Sequence, residues 1–489
     1  MANNLSKTKK NFIFNFLYQL LVISVPLITT PYLARILGPE GLGEYSYAYA
    51  IACYFVLFLQ MGIKNYGTRE IAKYQHKPKD LSRAFWELIS CQWIFSVIAI
   101  VIYLWYTFSY ASNKLISLLF LPYLISGAID ITWCFSGLED FRIIVGRSTF
   151  IKITTTLCIF LFVKTNTDIA TYTCIMAGGM FLSQFLLWPF LFRYIRFIPI
   201  STKQLFRHFK PLVLLFIPIL AESVYKIMGK IMLGRMADLS QVGFYDSSDK
   251  IMQLPLILIV SLGTVMLPRI THLYATDSEK QAVSVFKKSI YITVFLATST
   301  SFGIMAIAKT FVPWFYGPDF TLCVTLFQIL LPSCIFFAFA SVIRSQYLIP
   351  KEQDKEFIIS IMAGAVVNIL VNWCLIPKYG AIGASIGTLC AEMTVCFVQI
   401  AMVYKGIPIF HCLFSSLPFI IAGMGMYLCV LHLNFAHLSS ILNLALQCLL
   451  GAGVYLLIFG ITSRLWFKSD FEELKNIVVR TVREIKIFN

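Results

Sequence analysis

Apolar runs of about 20 residues, the length a helix needs to cross a hydrocarbon core of ~30 Å, recur along this 489-residue chain. They fall near 11–34, 45–63, 84–108, 114–138, 148–163, 170–192, 211–233, 247–267, 285–308, 320–348, 357–376, 381–403, 414–433 and 441–463. A sliding-window reading therefore gives about fourteen spans. In lipid the backbone must satisfy its own hydrogen bonds, so runs of this length dictate an all-α, polytopic membrane fold. A soluble globule is excluded by composition. Only 13% of the residues are charged and 58% are hydrophobic, where soluble domains carry about 25% charged residues.

Charge on the connections tests the count, because one missed or invented span would invert every later loop. With the N-terminus placed in the cytoplasm, one side gathers Lys64, Arg69, Lys73, Lys77, Lys79, Arg83, Arg142, Arg147, Arg193, Arg196, Lys203, Arg207 and Lys210. The same side receives Arg269, Lys280, Lys287, Lys288, Lys351, Lys355, Arg464, Lys468, Lys475, Arg480, Arg483 and Lys486. Opposite connections hold little beyond Arg35, Lys114, Lys164, Arg235, Lys309 and Lys378. The bias is roughly four to one and keeps one side throughout, which supports the count and places both termini in the cytoplasm. It also accounts for the net charge of +16, so no nucleic-acid partner is expected. The 13 cysteines stand singly, without metal-ligand spacing, so neither a disulfide framework nor a metal or other cofactor is expected. Lys7, Lys9 and Lys10 precede an apolar run that lacks a small-residue cleavage site, so this run is expected to be a retained first helix.

Displacing the chain against itself by about 200 residues superposes Arg35 on Arg235, Gly43 on Gly243, Tyr45 on Tyr245 and Arg69 on Arg269 without a gap. Leu121-Pro122 in the fourth span is echoed by Leu331-Pro332 in the tenth. The expectation is two parallel six-helix lobes, 1–192 and 211–403, joined by a basic cytoplasmic linker over 193–210, with two more helices over 404–463. Over 464–489, Ser469 and Glu472 form a capping box ahead of Phe471, Leu474, Val478, Val482 and Ile485, the pattern of an amphipathic cytoplasmic tail on the membrane surface.

The seventh span carries Glu222, Lys226 and Lys230 at four-residue spacing, so three ionisable side chains share one helix face. Each would cost roughly 2.5–3.5 kcal/mol facing lipid at the bilayer centre, so the face must line something wet. Asp249 and Lys250 open the next span after Asp246, and a short connection brings these groups into the same half of the second lobe. Lys226, Lys230 and Lys250, with Glu222, Asp249, Arg35 and Arg235, are the candidate substrate-binding residues. Lysine suits an anion that must be held and then released. The structural alternative is an internal ion-pair network, Glu222 with Lys226 and Asp249 with Lys230. Asp130, Glu222 and Glu392 are candidate ion-coupling acids. Asp130 can equally bond a neighbouring helix. Tyr45, Tyr47, Tyr49 and Tyr54 fit either sugar contact or interfacial anchoring. Asn15 with Gln19, and Asn368 with Asn372, form polar stripes that interhelical hydrogen bonds explain equally well.

The stretch NFLYQLLVISVPLITTPYLARILGPEGLGEY at 15–45, followed by GIKNYGTREIA at 62–72, resembles the polysaccharide transporter family, and within it the Wzx-type O-antigen flippases. These belong to one superfamily with multidrug and toxin extrusion exporters and peptidoglycan lipid flippases. The resemblance implies a substrate consisting of an oligosaccharide repeat unit on undecaprenyl pyrophosphate, moved between leaflets of the bacterial inner membrane by alternating access. It further implies ion-gradient coupling, contact with membrane lipid, and a polymerase and chain-length regulator as partners. A drug or cation exporter would call for an acidic cavity, and a polyprenol-dependent glycosyltransferase or polymerase for a large hydrophilic loop. The lysines argue against the first and the short connections against the second, so a carrier and not an enzyme is expected.

Overall fold

The computed structural model describes backbone and side chains over residues 24–464, apart from 202–203, 277 and 434–437, and backbone alone over 2–23, 202–203 and 465–466. The expected C-terminal amphipathic helix and the side chains of Asn15 and Gln19 lie outside the described residues. Eighteen α-helices are formed among the described residues, with no strand. In order they are α1 (Ala2–Gln60), α2 (Ile63–Tyr74), α3 (Pro78–Ser109), α4 (Lys114–Leu119), α5 (Leu121–Ala128) and α6 (Thr132–Gly137). Then follow α7 (Phe141–Phe162), α8 (Ile169–Phe185), α9 (Trp188–Leu191), α10 (Thr202–Met236), α11 (Leu239–Ala275) and α12 (Glu279–Phe315). The remainder are α13 (Leu322–Leu330), α14 (Ser333–Ile343), α15 (Asp354–Tyr379), α16 (Ala381–Val403), α17 (Ile409–Leu431) and α18 (Ser440–Trp466).

Thirteen helical segments among the described residues are long and apolar enough to cross a membrane. The first, Ser24–Tyr74, runs 51 residues, which at ~1.5 Å per residue exceeds twice the ~30 Å core. It is broken at Gly38, whose φ of 67° puts it in the left-handed region, with Pro39 immediately after. This segment therefore supplies two of the expected spans, and the other twelve match one each. The all-α polytopic expectation is borne out.

The chain packs as two compact units, Met1–Asp246 with Ile376–Ala381, and Ser247–Leu375 with Ile382–Asn489. The cut falls inside α11 and not at the 193–210 stretch, because α10 packs on α1, α2 and α3. In the first unit, α2 is a short amphipathic helix. Ile63, Gly67 and Ile71 form its buried stripe. A Cβ on Gly67 would stand 2.6 Å from the Trp133 ring, and one on Gly137 2.7 Å from Ile71, so glycine is what lets α2 lie against α6.

The fourth span is three pieces, α4, α5 and α6, broken first ahead of Pro122 and again over 129–131. A break inside a membrane span frees carbonyls that lipid cannot satisfy. Buried Gln92 on α3 donates through Nε2 to the carbonyls of Gly127 at 2.7 Å, Ala128 at 3.2 Å and Asp130 at 3.1 Å. Trp133 Nε1 donates to the Asp130 carbonyl at 2.9 Å, and Trp188 Nε1 to that of Ile129 at 3.1 Å. Gln92 and Trp188 stand outside the span, on α3 and α9, and Trp133 closes the break from within α6.

In the second unit, α12 is the central helix, packed by α13, α14, α17 and α18. The tenth span is also broken, at Leu331-Pro332 between α13 and α14, and ends in a π-helical turn over Arg344–Leu348. Both Leu-Pro pairs picked out by the internal repeat thus sit at helix breaks. The Asn368/Asn372 stripe is buried and bonds to itself, Asn372 Nδ2 donating to Asn368 Oδ1 at 3.0 Å.

Candidate substrate site

Two ion pairs organise the charged face of α10. Lys226 Nζ donates to Glu222 Oε1 at 2.6 Å, one helical turn back. Lys230 Nζ donates to Asp246 Oδ1 on α11 at 2.7 Å. Their settings differ. The Lys226 and Glu222 side chains are 53% and 34% exposed, those of Lys230 and Asp246 only 17% and 9%. The sequence alternative paired Asp249 with Lys230. The observed acid is Asp246, one turn earlier on α11, while Asp249 Oδ1 accepts from Gln253 Nε2 at 3.2 Å. Pairing is the expected response of charges in a low-dielectric setting, since an isolated buried charge is far more costly than a matched couple.

A ring of tyrosines borders the buried pair. Tyr45 and Tyr49, one turn apart on α1, both lie within electrostatic reach of Asp246, and Tyr49 also of Lys230. Tyr45 packs on Tyr172 at 4.6 Å between ring centroids and Tyr49 on Tyr123 at 5.4 Å, with Phe120 against both Tyr45 and Tyr49. Tyr54 donates its hydroxyl to the Ser223 carbonyl of α10 at 3.1 Å. Tyr47 instead packs on Gly234, where any Cβ would overlap its ring. The tyrosine run flagged in sequence therefore divides, Tyr45 and Tyr49 toward the ion pair and Tyr47 into helix packing.

Beyond this pair the segments around Gly43 and Gly243 touch. A Cβ on Gly43 would overlap the Leu239 carbonyl, and a Cβ on Gly243 would overlap that of Pro39. Residue 39 meets 243 as 239 meets 43, the reciprocity that defines a two-fold contact. Arg35 and Arg235 are both exposed here, and Arg235 Nη2 donates to the Tyr110 carbonyl at 3.4 Å.

Asp130 lies in the break between α5 and α6. Its Oδ1 accepts from Thr132 N at 2.9 Å and Thr132 Oγ1 at 2.6 Å, and its Oδ2 from Gln60 Nε2 at 3.1 Å. This carboxylate caps a helix start, a structural use that needs no ion. Lys250, Asp249 and Glu392 belong to the second unit, where Glu392 and Asp249 both lie within electrostatic reach of buried Cys334. That unit also holds an apolar cavity of about 400 Å³ among α12, α17 and α18, bordered by Phe295, Gly303, Met426, Gly451 and Tyr455.

Sequence reasoning missed Asp246 as the partner of Lys230, and it missed a buried cluster at the start of α10. Glu87 of α3 is fully buried and meets His208 Nε2 at 2.9 Å and Arg207 Nη2 at 2.5 Å. The signal was available, since Glu87 is an acid inside the apolar run 84–108.

Broken spans, paired charges and a polar face on one long helix define a polytopic helical membrane protein with a charged interior. Among solved structures the chain is similar to "Lipid II flippase MurJ, inward closed conformation", with TM-score 0.70 at 18% identity over 93% of this chain and 98% of that one. It is also similar to a multidrug resistance transporter of the MATE family, with TM-score 0.59 at 13% identity over 80% of this chain and 95% of the other. Residues 8–274 match the family model of polysaccharide biosynthesis proteins, so the chain belongs to that family. It is 24% identical over 408 residues to a protein of Escherichia coli (strain K12), covering 82% of this chain and 98% of the relative. It is 25% identical over 402 residues to one of Shigella dysenteriae, covering 79% and 98%. Both carry the provisional name of O-antigen transporter. The resemblance drawn from the 15–45 and 62–72 motifs is borne out.

Proposed function

We propose that this protein moves oligosaccharide repeat units linked to undecaprenyl pyrophosphate across the bacterial inner membrane, from the cytoplasmic to the periplasmic leaflet, for O-antigen or related surface polysaccharide synthesis. The observation that carries this reading is the face of α10, where Lys226 and Lys230 are each matched by a carboxylate and Lys230 lies within electrostatic reach of Tyr49. A pyrophosphate cannot enter hydrocarbon unaided. A site whose lysines are neutralised while empty avoids unpaired charge in the membrane and offers a simple exchange. The substrate phosphate replaces Glu222 as partner of Lys226, a displacement of low cost because this pair is half exposed. Tyr49, only partly covered beside Lys230, supplies an aromatic face and a hydroxyl for sugar. Protonation of Glu222 would release Lys226 in the same way, which makes that acid the favoured coupling group over Asp130 and Glu392. The apolar cavity among α12, α17 and α18 has the chemistry to receive a prenyl chain.

Alternating access is supported by the reciprocal Gly43/Gly243 contact, which fits two parallel six-helix repeats meeting at the end opposite the basic connections. On this reading that end is periplasmic and both termini are cytoplasmic. A polysaccharide polymerase and chain-length regulator are proposed as neighbours in the membrane. The test is complementation of a flippase-deficient host making the cognate glycan, scoring surface polysaccharide at matched protein level. Lys226→Ala, and Lys230→Ala combined with Asp246→Asn, are expected to lose surface polysaccharide and Lys226→Arg to retain it. Full activity of both alanine variants would remove the anion role.

A further inference from the structure

Four side chains from three helices of the first unit meet where α10 begins. Tyr66 of α2 lies with its hydroxyl 2.9 Å from His208 Nδ1. Glu87 Oε2 of α3 lies 2.9 Å from His208 Nε2 and 2.5 Å from Arg207 Nη2. Arg207 Nε in turn donates to His208 Nε2 at 3.1 Å. His208 and Glu87 are 1% and 0% exposed, inside a core that includes Ile63, Phe85, Leu88, Trp133 and Leu212. The other carboxylate oxygen of Glu87 is buried with no hydrogen-bond partner among the described residues.

These contacts make opposite demands on one atom. A short approach of a carboxylate oxygen to Nε2 requires a proton between them, whereas Arg207 Nε, which can only donate, requires the Nε2 lone pair. Both cannot be met at once. With Nδ1–H donating to the Tyr66 hydroxyl oxygen and the Nε2 lone pair free, Arg207 bridges His208 and Glu87; a second proton taken from water onto Nε2 makes the imidazolium, which bonds Glu87, and Arg207 Nε must turn away. Arg207 is 52% exposed, so water can take the released guanidinium, while the two buried partners stay in place.

We propose that the Glu87/His208 pair is a proton-binding site whose occupancy repositions the start of α10. It rests on the transport reading above only in its purpose, because α10 is also the helix that carries Lys226 and Lys230. From His208 to Lys226 is 18 residues, about 27 Å along a helix, with Pro211 and Pro218 between them as points where the helix can bend. The other titratable groups facing the site are Tyr66, with Glu70 and Tyr74 beyond it on α2, Cys91 on α3, and Arg207. None of these ordinarily changes charge between pH 5 and 8, whereas a histidine does.

The test needs no substrate, so its failure is distinct from failure of the transport reading. Amide hydrogen exchange of peptides from α10 is followed from pH 8 to pH 5 in the full chain in phosphatidylglycerol-containing nanodiscs. Rates are normalised to α17 peptides, and His208→Gln and Glu87→Gln are compared with wild type. The expected result is a single transition in α10 protection in the wild type, lost in both variants. A flat wild-type profile overturns the proposal whether or not the variants fold, and so does a transition that survives in His208→Gln.

Discussion

Helix α10 carries two charged clusters, and burial separates them. At its start, Glu87 and His208 are sealed in an apolar core with only Arg207 reaching water. Further along, the Lys226/Glu222 pair is half exposed and the Lys230/Asp246 pair mostly covered. A sealed cluster can take up something no larger than a proton, whereas a pair open to water can exchange one partner for a phosphate. The same residue chemistry on one helix thus fits the two purposes proposed for it, according to how far solvent reaches.

The largest effect should come from breaking the covered pair. Lys230→Ala removes the cation paired with covered Asp246, at roughly 3–5 kcal/mol in related cases, and should lower protein level and thermal stability. Pairing it with Asp246→Asn should restore the level without restoring surface polysaccharide. Recovery of both would mean that the pair serves packing alone.

Next in size is the glycine crossing. Gly43→Ala and Gly243→Ala each place a methyl against a backbone carbonyl, an overpacking cost of about 1–3 kcal/mol. The reciprocal geometry predicts matched losses of thermal stability for the two. Tolerance of one and not the other would break the two-fold account.

Smaller still is the stability change for Lys226→Ala. An exposed i,i+4 pair contributes about 0–1 kcal/mol, so its melting temperature should stay near wild type even as transport fails. A large drop would show that the exposed pair is structural.

The smallest effect concerns the turn between α7 and α8, well away from both clusters in sequence. Asp168 accepts hydrogen bonds from the backbone N–H groups of Lys164 and Thr165, each at 2.8 Å, which hold its carboxyl below the usual carboxylate range. A lowered native pKa stabilises the fold above the ordinary carboxylate pKa, and that contribution is lost as pH falls through the native value. Exchange protection of this turn should fall on acidification in the wild type and stay flat in Asp168→Asn.

Much of the architecture was legible because hydropathy is a property of each residue alone. The runs matched helices one for one, with Gly38 dividing the longest segment. Charges on α10 were legible for the same reason, since four-residue spacing fixes a face. Partners were harder, because they come from distant parts of the chain. Asp246 over Asp249 is decided by one turn of α11, and Glu87 finds His208 across 121 residues. The broken fourth span hid a second lesson. Asp130 looked functional because it is an acid in an apolar run, yet its Oδ1 is taken up by Thr132 at the start of α6 and its Oδ2 by Gln60 of α1. That an acid in a span stands at a helix break is visible only once the break is.

The most direct measurement of the central claim is reconstituted translocation. Liposomes holding undecaprenyl-pyrophosphate oligosaccharide in one leaflet, with or without this protein, would be probed by a membrane-impermeant glycosidase acting on the other. The account predicts that wild type and Lys226→Arg expose substrate to the enzyme while Lys226→Ala does not. Exposure no faster than in protein-free liposomes, or equal exposure by Lys226→Ala, would contradict it.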